Sequence, residues 1–227
     1  MRLSPAACRV LGSLAEKRLT TPNQYPLSVA ALQTACNQRS AREPVMELSE
    51  SDVQQALREL RDESLTRTSP VRGRVAKHEH QLDVQLDLSP PDQTVLGVLL
   101  LRGPQTVGEI RTRTDRWVNF ASLEAVQAVL DRLAAHPFLP LVAELAREPG
   151  RRETRWAHLL GDPDSEHGLP APGPVGQQST DEADRTPTPT TGTLTARVDA
   201  LEERIAALTD ELADLRDAVA PIVEELS

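Results

Sequence analysis

The chain writes one structural unit twice. Leu3-Ser4-Pro5 returns as Leu88-Ser89-Pro90, and Leu11-Gly12-Ser13-Leu14 returns as Leu96-Gly97-Val98-Leu99, both 85 positions later. Val53-Gln54-Gln55-Ala56-Leu57-Arg58-Glu59-Leu60 returns 73 positions later as Val126-Gln127-Ala128-Val129-Leu130-Asp131-Arg132-Leu133. The smaller second offset means that the first copy has the longer middle. Patterns matched in order and type point to a tandem duplication, which restricts the fold to two similar units in series.

Each unit reads as three helices and a hairpin. Ser4-Pro5 is an N-cap followed by proline at the first helical position. Leu3, Ala7, Val10, Leu11 and Leu14 follow at helical spacing. Pro22 and Pro26 bar a helix between them. Ser28 then caps a second helix carrying Val29, Leu32 and Cys36, and Arg39 to Pro44 is a loop. Ser49-Glu50-Ser51-Asp52 is a capping box with Asp in the acidic place, opening a third helix with Val53, Leu57 and Leu60 inward. Leu65 to Ser69 and Val75 to Leu82 pair as a hairpin across Pro70 and Gly73. In the second copy the helices fall at about 90–102, 106–113 and 121–135, and the strands at Leu139 to Ala146 and Thr154 to Leu159. Three helices and then a hairpin is the winged-helix order. The expected fold class is mostly α with small β-hairpins (α+β), as tandem winged-helix domains over 1–83 and 84–160. The short connection at 83–88 predicts little freedom between them.

A change of composition follows. Residues 161–193 hold six prolines and five glycines with almost no apolar periodicity, the signature of a disordered linker with a reach of roughly 30 Å. From 194 to 227 a heptad runs without a break. Val198, Ile205, Leu212, Val219 and Leu226 occupy the a positions, and Leu194, Leu201, Leu208, Leu215 and Ile222 the d positions. Mostly β-branched a and mostly Leu d residues predict a parallel coiled-coil homodimer with a seam about 50 Å long. The flanking charges agree, because Arg197 faces Glu202 of the partner helix and Glu211 faces Arg216. The alternative is an amphipathic helix folded back on its own domains. Pro221 frays or bends the end.

The net charge of −9 hides two opposite halves. Residues 1–160 carry 19 Arg and 2 Lys against 19 acids, whereas 161–227 carry 4 Arg against 15 acids. The acidity belongs to the tail, so the whole-chain charge does not argue against a polyanionic partner. No apolar run reaches the roughly 18 residues of a membrane span. Arg9, Glu16, Lys17 and Arg18 interrupt any signal-peptide core, so a cytoplasmic location is expected and no membrane partner. Cys8 and Cys36 read as small core residues in a reducing compartment.

The stretch Thr20-Thr21-Pro22-Asn23-Gln24-Tyr25-Pro26-Leu27-Ser28 resembles the YceH-like family of bacterial proteins. So do Ala35-Cys36-Asn37-Gln38 and Arg42-Glu43-Pro44-Val45-Met46-Glu47-Leu48-Ser49-Glu50. Leu100-Leu101-Arg102-Gly103-Pro104-Gln105-Thr106 and Leu145-Ala146-Arg147-Glu148-Pro149-Gly150-Arg151-Arg152-Glu153 resemble its second half. The resemblance covers residues 1 to about 160. It implies a tandem winged-helix fold and a cytoplasmic location, and it implies no activity and no site residues.

The leading functional expectation is a non-enzymatic, DNA-associated, regulator-like protein. In winged helices the third helix enters the major groove and the wing touches phosphate, whose neutralisation supplies most of the affinity. The candidate contacts to double-stranded DNA, or to a protein partner, are Arg72, Arg74 and Lys77 in the first wing. Arg147, Arg151, Arg152 and Arg155 are those of the second. Arg39 and Arg42, in the loop before the third helix, add two more. The third helices argue the other way, since Glu50, Asp52, Glu59, Asp62, Glu63, Glu124 and Asp131 would repel phosphate. Gln54, Gln55 and Gln127 are possible adenine contacts. The second expectation is therefore a protein–protein adaptor that uses its winged helices and coiled coil without binding DNA. Tyr25, Trp117, Phe120, Phe138 and Trp156 are too scattered for a single-strand stacking platform. An enzyme is third. His78 and His80 alternate on one strand face without a further ligand nearby, so no metal and no cofactor are expected. No glycine-rich phosphate loop or nucleophile motif is present.

Overall fold

Local capping chemistry sets where every major helix begins. A computed structural model of the chain describes residues 2–69, 75–147 and 150–161. Arg72, Arg74, the 161–193 linker apart from Gly161, and the heptad from Leu194 to Leu226 lie outside the described residues. Helix α1 (Pro5–Thr20) starts where the Ser4 hydroxyl accepts from the Ala7 amide at 3.2 Å. Helix α2 (Val29–Cys36) starts at Ser28, and α3 (Glu50–Asp62) at the Ser49–Asp52 capping box. Strands β1 (Thr66–Ser69) and β2 (Lys77–His80) pair antiparallel, with Thr66 opposite His80. A short helix, α4 (Leu82–Gln85), fills most of what reads in sequence as a plain connection.

The second copy repeats the order. Helix α5 (Pro90–Arg102) opens on a Ser89–Asp92 capping box and α6 (Val107–Thr114) on a Thr106–Glu109 box. Helix α7 (Leu123–Ala134) opens on Ser122, and β3 (Val142–Glu144) pairs antiparallel with β4 (Trp156–His158). Among the described residues the architecture is seven α-helices and two small antiparallel hairpins.

The hairpins are shorter than the hydrophobic runs predict, because Leu65, Leu82, Leu141 and Leu160 are buried as core residues beyond the paired segments. Each hairpin also gains a one-residue third strand. Leu27 and His78 exchange backbone bonds of 3.1 and 2.7 Å. Gln105 and Trp156 exchange bonds of 2.9 and 2.7 Å. Leu27 and Gln105 both stand immediately before the N-cap of the second helix of their copy, so the duplication extends to this contact.

The copies join through their first helices. Ala7–Glu16 of α1 and Asp92–Leu101 of α5 are buried without interruption. A helix buried all round lies between layers, and here α1 packs on α2 and α3 on one side and α5 on the other. Gly12 lets the two helices approach, and Gly97, its equivalent in the repeat, makes room for the Trp117 ring. A Cβ on Gly12 would sit 2.9 Å from Leu101 Cγ, and one on Gly97 would sit 2.7 Å from the Trp117 ring. Leu11, Leu14, Leu96 and Leu99 are fully buried in one core shared by both copies. Each such leucine contributes roughly 1.5–3 kcal/mol. Leu3 N–H donates to Leu160 C=O at 2.7 Å, which ties the start of the first copy to the end of the second. No described helix is long and apolar enough to cross a membrane.

Candidate nucleic-acid interface

Four of the cations singled out in the sequence stand on or beside the hairpins in the open. Lys77 is exposed at the start of β2, and Arg147, Arg151 and Arg152 are exposed on the segment joining β3 to β4. The turn they flank carries Gly150 at φ +83°, a left-handed conformation that favours glycine. Arg155 is half-buried and braced. Its Nη1 donates to Pro104 C=O at 3.0 Å, and its Nη2 lies 3.7 Å from Glu109. It therefore holds the second hairpin against the start of α6.

Arg42 does not belong with these residues. Its side chain has no exposed surface. Nη1 and Nη2 grip the Glu16 carboxylate at 3.2 and 2.6 Å, and Nε and Nη2 donate to Ala35 C=O at 3.1 and 2.9 Å. A buried guanidinium needs that many acceptors to offset its desolvation. Burial opposes ionisation of Glu16, but the Arg42 hydrogen bonds and charge prevail and hold its carboxyl below the usual range. Arg9 is its neighbour in function, donating to Cys36 C=O and Pro44 C=O at 3.3 and 2.7 Å. The loop between α2 and α3 is thus pinned by two buried arginines, and Glu43 N–H ties it to Leu101 C=O of α5 at 2.8 Å. Arg39, in the same loop, is exposed.

The third helices keep their acidic faces. Glu50, Asp52, Asp62 and Glu63 of the α3 segment and Glu124 and Asp131 of α7 are exposed. Glu59 is withdrawn, accepting from the Ser4 amide and hydroxyl at 2.6 and 2.7 Å. The equivalent residue of the second copy is Arg132, which grips Asp92 at the start of α5 at 2.6 Å. In both copies this third-helix position ties to the start of the first helix, through an acid on Ser4 in one and a base on Asp92 in the other. Gln55 accepts from Arg58 at 2.6 Å and Gln127 donates to Asp131 at 2.7 Å, so two of the three candidate glutamines already have partners.

His78 and His80 point into the protein together. Burial, and secondarily the Arg18 charge, push His80 down to about 4. Burial also pulls His78 below its ordinary value, with Arg61 adding to it. Among the described residues no group of three His, Cys, Asp or Glu is placed to hold a metal ion.

A second basic surface went unread in the sequence. Lys17, Arg39, Arg102, Arg113 and Arg116 line one groove between the two copies. A signal was present, because Lys17 and Arg102 are equivalent positions in the last turn of the first helix of each copy. Arg113 and Arg116 lie around the end of α6, where only the folded chain brings them to the other three.

Comparison with known proteins agrees with the extent of the duplicated region. A family described as protein of unknown function, DUF480, matches residues 3–151. A UPF0502 protein of Geotalea uraniireducens is 47% identical over 175 residues, covering 77% of this chain and 80% of its own. One from Azoarcus sp. is 51% identical over 160 residues, covering 70% of each chain. One from Pelobacter propionicus is 52% identical over 161 residues, covering 71% of this chain and 73% of its own. The family match takes in the first copy and the second as far as the turn after β3, and the chain belongs to this DUF480/UPF0502 family of bacterial proteins.

Proposed function

We propose that this is a non-enzymatic, DNA-associated, regulator-like protein built from two winged-helix domains, with its hairpin wings on duplex phosphates. The observation that carries the reading is the second hairpin, where Arg147, Arg151 and Arg152 are exposed beside one turn. Lys77 is exposed at the start of β2 in the first hairpin. Three helices followed by a hairpin, with a one-residue third strand from the start of the second helix, is an arrangement suited to a winged helix in each copy. The same reading places the protein in the cytoplasm as a parallel homodimer through the heptad from Leu194 to Ile222, which would double the phosphate contacts.

Three side chains support a non-enzymatic role. Burial, and secondarily the Glu59 charge, push the Cys8 thiol up to about 12, and burial raises the Cys36 thiol, so neither is a thiolate at neutral pH. His158, beside Cys8 in a cavity of about 80 Å³, is pushed by burial down to about 4. It stays neutral and faces no ionised nucleophile.

The second reading, a protein–protein adaptor, is favoured by the acidic faces of α3 and α7, which repel phosphate where a winged helix ordinarily reads bases. Fluorescence anisotropy of a generic labelled duplex titrated with the full chain separates the two. Saturable binding that weakens in an Arg151→Gln/Arg152→Gln variant supports the wings. Absence of binding at low salt leaves the adaptor.

A further inference from the structure

The groove between the copies is a different kind of basic surface from the wings. It is lined by the last turns of α1 and α5, the end of α6 and the loop between α2 and α3, and it encloses about 1020 Å³. That is at the upper end of the space a small-molecule site occupies. Five cations, Lys17, Arg39, Arg102, Arg113 and Arg116, face two carboxylates, Glu16 and Asp115, across it. Glu16 is already neutralised from behind by the buried Arg42 and beside by Lys17 at 3.2 Å. The lining therefore keeps about three positive charges in excess.

The cations are graded by depth. Arg39 and Arg116 are exposed, whereas Arg102 and Arg113 are half-buried. Arg113 Nη1 is shielded from solvent with no hydrogen-bond partner, and its nearest carboxylate, Glu109, is 3.8 Å from Nη2. Burial lowers the Arg102 pKa, and the charges of Arg113 and then Arg42 lower it further, which is the mark of like charges crowded together. Arg113 has only Glu109, which Arg155 shares at 3.7 Å, and Arg102 has no ion-pair partner among the described residues, so the two half-buried arginines raise each other's energy with less than one acid each. A bound anion would supply the missing charge.

We propose that this groove binds a compact ligand carrying two or more linked phosphoryl groups. One phosphate of charge about −1.5 to −2 would leave the excess incompletely balanced, and a di- or triphosphate balances it. Guanidinium groups at the floor and rim suit the bidentate geometry of phosphate oxygens. A smooth duplex reaches rims more readily than recessed floors, which favours a compact ligand here and leaves duplex contact to the hairpins. The shared chemistry is the phosphate chain, and its source is a nucleoside polyphosphate or an inorganic one. Trp117, which also lines the groove, gives a base an aromatic surface. This site stands independently of the DNA reading.

The test is calorimetric titration of the full chain with inorganic triphosphate and, separately, with adenosine triphosphate. Saturable binding near one ligand per chain is expected with at least one of them. Tighter binding of the nucleotide assigns the source to nucleotides, and equal binding assigns it to the phosphate chain alone. Arg39→Gln/Arg116→Gln removes two exposed cations that do not support the fold, and Arg102→Gln removes one from the floor. Each is expected to weaken binding by roughly tenfold or more, given charge-assisted bonds. Arg151→Gln/Arg152→Gln on the second hairpin is expected to leave it within about twofold. No saturable binding of either ligand, or equal weakening by groove and hairpin variants, would overturn the site. Loss of duplex binding with triphosphate binding intact would dismiss the wings and leave the groove standing.

Discussion

Arg42 shows how far one residue's role depends on the fold around it. In the sequence it is one of two arginines in an exposed-looking loop, yet the chain buries it against Glu16 and Ala35. Removing Arg42 leaves the largely buried Glu16 carboxylate to Lys17 alone, at 3.2 Å. Arg42→Met is therefore expected to cost about 3–5 kcal/mol in chemical denaturation. Arg39→Met, three residues earlier in the same loop but exposed, is expected to change stability by less than about 0.5 kcal/mol. Equal effects would mean that the ion pair is not what fixes the loop. His80 gives the residue-scale pH dependence. Its folded value of about 4 lies below that of a free imidazole, so protonation favours the unfolded chain. Its contribution is fully present above pH ~6.5 and is lost as pH falls towards 4, by roughly 3 kcal/mol at most. His80→Gln, which keeps an acceptor for the Leu82 amide, is expected to flatten the acid side of a stability-against-pH curve. An unchanged acid limb would place the titration elsewhere.

At the scale of elements, the caps were legible and the partners were not. Ser4, Ser28, Ser49 and Ser89 each open the helix that their spacing predicts, because capping is satisfied within one turn. The third strands at Leu27 and Gln105 and the helix α4 left no comparable trace, since one backbone bridge or one helical turn has no periodicity to detect. The all-round burial of α1 and α5 was half-visible in Leu-rich patterns, but the partner face became plain only where Gly12 meets Leu100 and Leu101 of α5. That crossing carries the element-scale prediction. Gly12→Ala drives a methyl to within 2.9 Å of Leu101 Cγ and 3.0 Å of Leu100 Cβ on α5 and is expected to cost about 1–3 kcal/mol in thermal or urea unfolding. Gly108→Ala is the control, because a Cβ there meets nothing closer than 3.9 Å. If both variants are equally stable, the close approach of α1 and α5 is wrong.

The whole molecule is a duplication whose copies diverged in charge while still tying the third helix to the start of the first. Glu59 on Ser4 became Arg132 on Asp92, and Lys17 matched with Arg102 came to line a shared groove. Of the candidate contacts, Lys77, Arg147, Arg151, Arg152 and Arg39 are exposed. Arg155 is braced and Arg42 withdrawn. Sequence spacing reports which residues sit on a hairpin, but only tertiary packing decides which of them keep water. The groove escaped for the same reason, because its cations come from four separated segments. At this scale the account's central claim is that the hairpins bind duplex phosphate, and anisotropy of a generic duplex against the full chain across a salt series tests it most directly. The account predicts a linear fall of log affinity with log salt, of slope about −0.9 for each phosphate engaged. It also predicts a slope shallower by roughly one to two in Arg151→Gln/Arg152→Gln. A full chain that fails to bind at low salt, or a slope untouched by that variant, would contradict it.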